Sequence, residues 1–107
     1  MYMDSSTAKK EVLDIVDSLY RDEKNLSGVI QRLRPRICPF STLLPLFPRG
    51  SRVLDVGCGS GLWAGLLIAT DRAVFVHGFD ASKKAIDIAR RMQSRLPTEQ
   101  QNKLYFW

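Results

Sequence analysis

The sequence has few cysteines and no long apolar run, and each scarcity excludes a class of protein. Two cysteines in 107 residues, Cys38 and Cys58, are too few for a disulfide framework and lack metal-ligand spacing. The longest apolar run, Leu62 to Ala69, has eight residues and is too short to span a bilayer. Acidic residues interrupt the one stretch that could serve as a signal peptide: Glu11, Asp14 and Asp17. We therefore expect a cytoplasmic protein without a membrane or metal partner.

The basic residues are unevenly distributed, although the composition is otherwise that of one globular domain, 45% apolar and 25% charged. The net charge is +5, and no acid occurs between Lys24 and Leu54. Two basic groups result: Lys24, Arg32, Arg34, Arg36, Arg49 and Arg52, and then Lys83, Lys84, Arg90, Arg91 and Arg95. We interpret both groups first as solvated surface. The minority alternative is that they form a surface that binds RNA or an acidic metabolite.

The first 48 residues are predicted to be helical. Apolar residues recur at helical spacing over residues 7–20, and a second short helix is predicted over residues 25–33, ending at the step from Arg34 to Pro35. Pro39 suits the first turn of a further short helix. These segments predict an N-terminal helical cover, residues 1–48, packed on the remainder of the chain.

Residues 49–107 alternate between strand and helix patterns. Strands are predicted over residues 52–56, 73–79 and 103–107, with helices over residues 62–70 and 81–95 between them. This alternation predicts right-handed βαβ units and a parallel sheet in the order 3-2-1. The fold class is therefore α/β: part of a Rossmann-like doubly wound parallel sheet, preceded by an N-terminal helical segment.

The most informative segment runs from Asp55 to Gly61 and has glycine at every second position from Gly57 onward. Such glycines let the chain turn sharply from a strand into a helix without side chains that would block a ligand. Asp80 ends the second predicted strand, nineteen residues after Gly61. A carboxylate at that place can accept hydrogen bonds from a ribose diol, so the sequence predicts an adenosine-binding site.

Two classes of adenosine ligand fit this pattern. Residues 59–64 satisfy the G-x-G-x-x-A fingerprint of dinucleotide-binding proteins. A dinucleotide, however, would place its pyrophosphate near Asp55, and two like charges about 4 Å apart cost about 4 kcal/mol at an effective dielectric of 20. A ligand with an ammonium and a sulfonium tolerates the acid. The sequence therefore favours S-adenosylmethionine.

Residues 53–61 resemble the first motif, D-x-G-x-G-x-G, of class I S-adenosylmethionine-dependent methyltransferases. Residues 79–89 are similar to that family's second motif and the helix after it. The resemblance implies that Asp55 orients the amino group of the cofactor and that Asp80, with Ala81 beside it, holds the ribose. It also implies that one loop lines the methionine moiety: Gly57, Cys58, Gly59, Ser60 and Gly61. The implied reaction is methyl transfer by in-line displacement, with a small molecule as the expected acceptor.

Several of these residues also have a structural interpretation. Asp80 can cap the following helix as well as bind ribose. Cys58 is interpreted as a small loop residue rather than a nucleophile, and His77 as a packed strand residue rather than a base. Tyr2 and Tyr20 are candidates for closing over the ligand.

Three functions stay open at this point. The first is the cofactor-binding half of a methyltransferase, the second an NAD(P)-binding oxidoreductase module, and the third a non-catalytic or RNA-associated module. The resembling family places its substrate contacts and any catalytic base beyond the third strand. We therefore nominate no base, and we expect the 107-residue chain to be a truncation of a longer polypeptide or to self-associate.

Overall fold

The computed structural model describes residues 5–107, in which a helical segment precedes an alternation of strands and helices. The helical segment contains α1 (Ser5–Tyr20), α2 (Leu26–Ile37), α3 (Phe40–Leu43) and a 3₁₀ turn (Leu44–Leu46). The alternating part contains β1 (Ser51–Val56), α4 (Leu62–Ala69), β2 (Ala73–Phe79), α5 (Lys83–Ser94), α6 (Thr98–Gln101) and β3 (Leu104–Phe106). Among these helices, none is both long and apolar enough to cross a membrane. The predicted α/β class is confirmed.

The three strands form one parallel sheet in the order β1-β2-β3, which is the predicted order. Val53 of β1 pairs with Val76 of β2, which pairs with Leu104 of β3. Paired residues of a parallel sheet lie on the same face, so these apolar side chains form one layer. The sheet and the N-terminal helices together give the predicted partial Rossmann-like fold, while the predicted domain boundary at residue 48 stays a prediction.

One face of the sheet carries the core. Val76, Leu104 and Phe106 are buried on that face, and α4 and α5 pack against the strands. Helix α4 is apolar nearly all round because it lies between the sheet and α1. Close approach requires glycine there: a Cβ at Gly65 would come within 3.0 Å of the Leu19 side chain. The helical segment is therefore part of the same core as the sheet.

The prediction that the second helix ends before Pro35 is wrong. Helix α2 continues to Ile37, although Pro35 has no N–H to donate to the carbonyl of Gln31. Gln31 and Pro35 are one turn apart and both are buried, so tertiary packing offsets the lost hydrogen bond. The N–H of Cys38 then donates to the Arg34 carbonyl at 2.8 Å and closes the helix.

A buried ion-pair cluster fastens the helical segment to α5. Glu23, in the turn after α1, is 3% exposed and accepts two hydrogen bonds from Arg91, at 2.7 and 3.1 Å. Arg95 adds a third at 3.2 Å to the same carboxylate. The backbone of α2 also packs closely against that of Glu23, because a Cβ at Gly28 would overlap the Glu23 carbonyl. These contacts fix where α1 ends relative to the sheet.

The other face of the sheet is apolar and exposed. Leu54, Val56, Tyr105 and Trp107 are each about 60% exposed or more on this face. His77 lies among aromatic rings here, with centroids 4.8 Å from Phe75 and 5.2 Å from Tyr105. His77 thus packs on this sheet surface, in agreement with its interpretation as a packed strand residue. We call this surface the open face.

Self-association through the open face is the first prediction. Replacing Leu54 and Tyr105 together by Thr keeps a residue type that suits strands and removes apolar area. We expect the double variant to shift the 107-residue chain toward monomer in sedimentation velocity. Ile37→Thr, at a residue 82% exposed on α2, is the matched control and should leave the distribution unchanged. A monodisperse monomer for the unmodified chain would contradict the prediction.

Acid sensitivity of the Glu23 cluster is the second prediction. Hydrogen bonds from Arg91, followed by those from Arg95, hold the pKa of Glu23 below its ordinary value of 4.5. A depressed folded-state pKa contributes stability that is complete above pH 4.5 and is lost as the pH falls through the lower folded value. We expect Glu23→Gln to lose about 2 kcal/mol at pH 7 and the difference from wild type to shrink below pH 4.5.

Urea unfolding at a series of pH values measures this difference. Asp14→Asn is the control, because Asp14 forms an exposed pair with Lys10 at 2.8 Å and such pairs contribute less than about 1 kcal/mol. A difference between Glu23→Gln and wild type that stays constant down to pH 3 would count against the ion-pair account.

Candidate functional site

Three glycines of the loop between β1 and α4 have left-handed backbone conformations. Gly57, Gly59 and Gly61 have φ values of +71°, +56° and +82°. At Gly61 the neighbours add a second reason for glycine, since a Cβ would come within 2.9 Å of Phe106 and 3.0 Å of Met92. At Gly57 and Gly59 a Cβ would meet no atom within 4 Å. The alternating glycines thus lie in a loop at the carboxyl end of β1, as the sequence predicts, with open space beside Gly57 and Gly59. We call residues 57–61 the glycine loop.

Four of the five N–H groups of residues 57–61 are already paired within the protein. The Gly57 and Cys58 N–H groups both donate to the Phe79 carbonyl, at 2.8 and 3.0 Å. Gly59 N–H donates to the Asp80 carboxylate at 3.0 Å, and Gly61 N–H to the Cys58 carbonyl at 3.0 Å. A pyrophosphate site needs free N–H groups that converge on the anion. Pairing of these four N–H groups leaves few free donors within residues 57–61 for a pyrophosphate.

Asp80 joins the loop to the end of β2. One carboxylate oxygen accepts from Gly59 N–H at 3.0 Å and the other from Ser82 N–H at 2.8 Å. The hydrogen bond from Ser82, and then that from Gly59, lowers the pKa of Asp80. The carboxylate is partly exposed, and each oxygen keeps a further lone pair that can accept a hydroxyl hydrogen. Exposed Ala81 comes directly after it in the chain.

The prediction that Asp80 caps the following helix is wrong. Helix α5 begins at Lys83, and its N-cap is Ser82, whose side chain accepts from Ala85 N–H at 3.2 Å. Asp80 lies two residues before that cap, where its oxygens reach the Ser82 and Gly59 N–H groups instead. The carboxylate of Asp80 is therefore directed to the glycine loop rather than to the helix.

Asp55 lies near the carboxyl end of β1, opposite Gly78 of β2, and is partly buried. Burial raises the pKa of its carboxyl, and the positive charge of Arg34 opposes that rise. Among the described residues Asp55 forms no ion pair. A partly buried carboxylate of this kind would be stabilised by an added cation, such as an ammonium group.

Cys58 lies beside both carboxylates. Its side chain is buried against Gly78, where an added Cβ would come within 3.0 Å of the sulfur. Burial, with smaller contributions from Asp55 and Asp80, raises the pKa of the thiol to about 11. The thiol is therefore protonated at neutral pH and is not a nucleophile, which agrees with its interpretation as a loop residue. Gly78 is a residue whose part in the site the sequence analysis missed.

Tyr20 reaches the loop from inside the core. It is fully buried at the end of α1, and its hydroxyl donates to the Ser60 carbonyl at 2.7 Å. It is a loop contact rather than a residue that closes over the ligand. No local pattern around residue 20 signals a partner forty positions away. Tyr2, the other tyrosine considered for that role, lies outside the described residues.

Comparison with known proteins identifies the family. A family model described as "Methyltransferase domain" matches residues 23–105, which is more than half of the chain. The chain belongs to the methyltransferase domain family. No curated protein and no solved structure gave a match.

The family match begins at Glu23, so the methyltransferase domain pattern includes α2, the glycine loop and Asp80 but not α1. Tyr20, which bonds to the loop from α1, is outside the matched range. The resemblance drawn from residues 53–61 and 79–89 is therefore confirmed at the level of the family.

Part of the basic charge of this methyltransferase domain has a structural role. Arg91 and Arg95 pair with Glu23, while Arg32 donates to the Tyr20 carbonyl at 2.7 Å and to the Glu23 carbonyl at 3.1 Å. Arg90 donates to the Phe106 carbonyl at 2.8 Å. Members of both predicted basic groups thus hold the fold together, which weakens the case for a continuous RNA-binding surface.

A cavity of about 430 Å³ lies between α5 and β3 of the methyltransferase domain, and no residue of the glycine loop lines it. It is lined by Arg90, Gln93, Leu104, Tyr105 and Phe106. The Gln93 amide donates to the Gln101 and Leu104 carbonyls at 2.7 and 2.9 Å, and Arg90 also binds backbone. These polar groups fasten β3 to α5, and we assign the candidate site to the loop.

Selective alkylation of cysteine is the third prediction. With a thiol pKa of about 11, fewer than about one Cys58 in a thousand is thiolate at pH 7.5. We expect iodoacetamide to modify partly exposed Cys38 of the folded protein well before Cys58, as measured by mass spectrometry. The Cys58 rate should rise about tenfold per pH unit toward pH 10. Urea-unfolded protein is the control, and equal rates in the folded protein would contradict the assignment.

Proposed function

We propose that this chain is the cofactor-binding half of an S-adenosylmethionine-dependent methyltransferase that acts on a small molecule. The observation that carries the proposal is the hydrogen bond between Gly59 N–H and the Asp80 carboxylate at 3.0 Å. It brings the glycine loop and the acid at the end of β2 together at the edge of the sheet where the strands end. Open parallel sheets bind nucleosides at that edge.

The residues at this edge fit the chemistry of the proposed cofactor. Asp80 offers carboxylate lone pairs to the ribose hydroxyls, with exposed Ala81 next to it. Asp55, partly buried and without an ion-pair partner in the described residues, suits the ammonium. The backbone of the remaining loop residues would line the methionine chain: Gly57, Cys58, Gly59, Ser60 and Gly61.

When bound, S-adenosylmethionine supplies a methyl group activated by its sulfonium, ready for in-line displacement by a nucleophile. The described residues contribute binding and alignment. The glycine loop excludes side chains from the reacting region, and the two acids hold opposite ends of the ligand in register. Cys58 takes no part as nucleophile because burial keeps its thiol protonated.

Three further parts of the proposal concern the methyl acceptor, the size of the whole fold and the location of the protein. Pairing of arginines from both basic groups with Glu23 and with backbone favours a small-molecule acceptor over RNA. The apolar open face supports the proposal that this chain is half of a larger fold. A reducing, cytoplasmic location is consistent with the free thiols of Cys38 and Cys58.

Loss of cofactor affinity on substitution of Asp80 is the fourth prediction. Asp80→Asn removes the charge that strengthens hydrogen bonds to the ribose, and such bonds contribute about 1.5–3 kcal/mol. We expect the dissociation constant of S-adenosylhomocysteine to rise about 10- to 100-fold in isothermal titration calorimetry.

Asp87→Asn is the matched control, because it makes the same charge change at an exposed position of α5. Circular dichroism of each variant confirms that the affinity is compared between folded proteins. Equal affinity of Asp80→Asn and Asp87→Asn would refute the ribose assignment. Tight binding of NADH in place of S-adenosylhomocysteine would favour the dinucleotide alternative.

A further inference from the structure

The Ser60 carbonyl lies in the middle of the glycine loop and its residue is buried, so it depends on the protein for a hydrogen-bond donor. The Tyr20 hydroxyl is that donor, at 2.7 Å. The contact joins residues forty positions apart, one at the end of α1 and the other in the loop. Through this hydrogen bond the helical cover contacts the candidate site directly.

Several hydrogen bonds hold the backbone at Tyr20 in place. The Tyr20 carbonyl accepts from Arg32 at 2.7 Å and from Glu23 N–H at 3.1 Å. The preceding carbonyl, that of Leu19, accepts from Arg95 at 2.9 Å, and Arg95 also binds Glu23. Because these groups fix the end of α1, the hydroxyl has little freedom to move with the loop, and the loop must instead conform to the hydroxyl.

The loop by itself does not fix the orientation of the Ser60 carbonyl. The flanking residues are both in the left-handed region, with φ of +56° at Gly59 and +82° at Gly61. Glycine has many accessible conformations, so a loop of this kind needs contacts that select one of them. Burial raises the pKa of the Tyr20 hydroxyl, which therefore remains a donor throughout the physiological range.

We propose that Tyr20 is a positioning residue for the cofactor: its hydroxyl holds the Ser60 carbonyl and keeps the glycine loop in its binding conformation. This inference rests on the proposed function. It assigns to α1, which lies outside the family match, a part in cofactor affinity. Tyr20 does not touch the ligand in this account, and it acts through Ser60.

The test, our fifth prediction, is Tyr20→Phe, which removes the hydroxyl and keeps the ring. We expect S-adenosylhomocysteine to bind about tenfold more weakly by calorimetry at 15 °C, with the variants folded by circular dichroism. Without ligand, hydrogen–deuterium exchange should accelerate in peptides that cover residues 57–66. Tyr105→Phe removes a hydroxyl from the open face and should change neither measurement.

Val12→Ala separates positioning from general stability. Val12 is buried in α1, so the variant lowers the melting temperature without removing a loop contact. We expect it to bind S-adenosylhomocysteine as wild type does. Wild-type affinity in Tyr20→Phe, even with faster loop exchange, would overturn the inference, and so would equal weakening in Val12→Ala. Failure of wild-type protein to bind S-adenosylhomocysteine would instead defeat the proposed function, and the inference with it.

Discussion

The sharp turn of the chain after β1 is the constraint on which the rest of the structure depends. Gly61 takes a left-handed conformation with Phe106 and Met92 directly against it, so β3 and α5 pack on the chain just where α4 begins at Leu62. The same loop is tied to the end of β2 by the Phe79 carbonyl, which accepts two N–H groups. Strands β2 and β3, helix α5 and the candidate site therefore meet at one turn.

The turn also gives two neighbouring carboxylates opposite electrostatic environments. Asp55 is on the core side of β1, where burial raises the pKa of its carboxyl, while backbone N–H groups lower the pKa of Asp80. The charge of the Asp55 carboxylate is only partly compensated by Arg34, so this carboxylate suits an added cation. The Asp80 carboxylate already accepts hydrogen bonds from backbone N–H groups and therefore suits neutral hydroxyl partners. The cofactor that we propose carries both kinds of group, so the proposed roles of Asp55 and Asp80 agree with their electrostatic environments.

The contrast between the two sheet faces results from how the helical cover is fastened. Glu23 binds Arg91 of α5 and Arg95 directly after that helix, so α1 is held over α4 and α5 on the side that carries the core. Among the described residues no helix packs on the opposite side of the sheet, where Leu54 and Tyr105 remain exposed. The cover thus completes one layer of a doubly wound arrangement and at the same time contacts the site through Tyr20.

Local signals let the sequence by itself determine the strands, the helices after them, the glycine loop and the acid at the end of β2. Side-chain periodicity and the demand for positive φ at residues such as Gly61 act within a few positions, so they are legible in a single sequence. Tertiary structure alone decided the bond from Tyr20 to Ser60, the pairing of Glu23 with α5, and the continuation of α2 past Pro35. Each of these depends on which distant surfaces pack together, and burial at those surfaces outweighs the local preference of the chain.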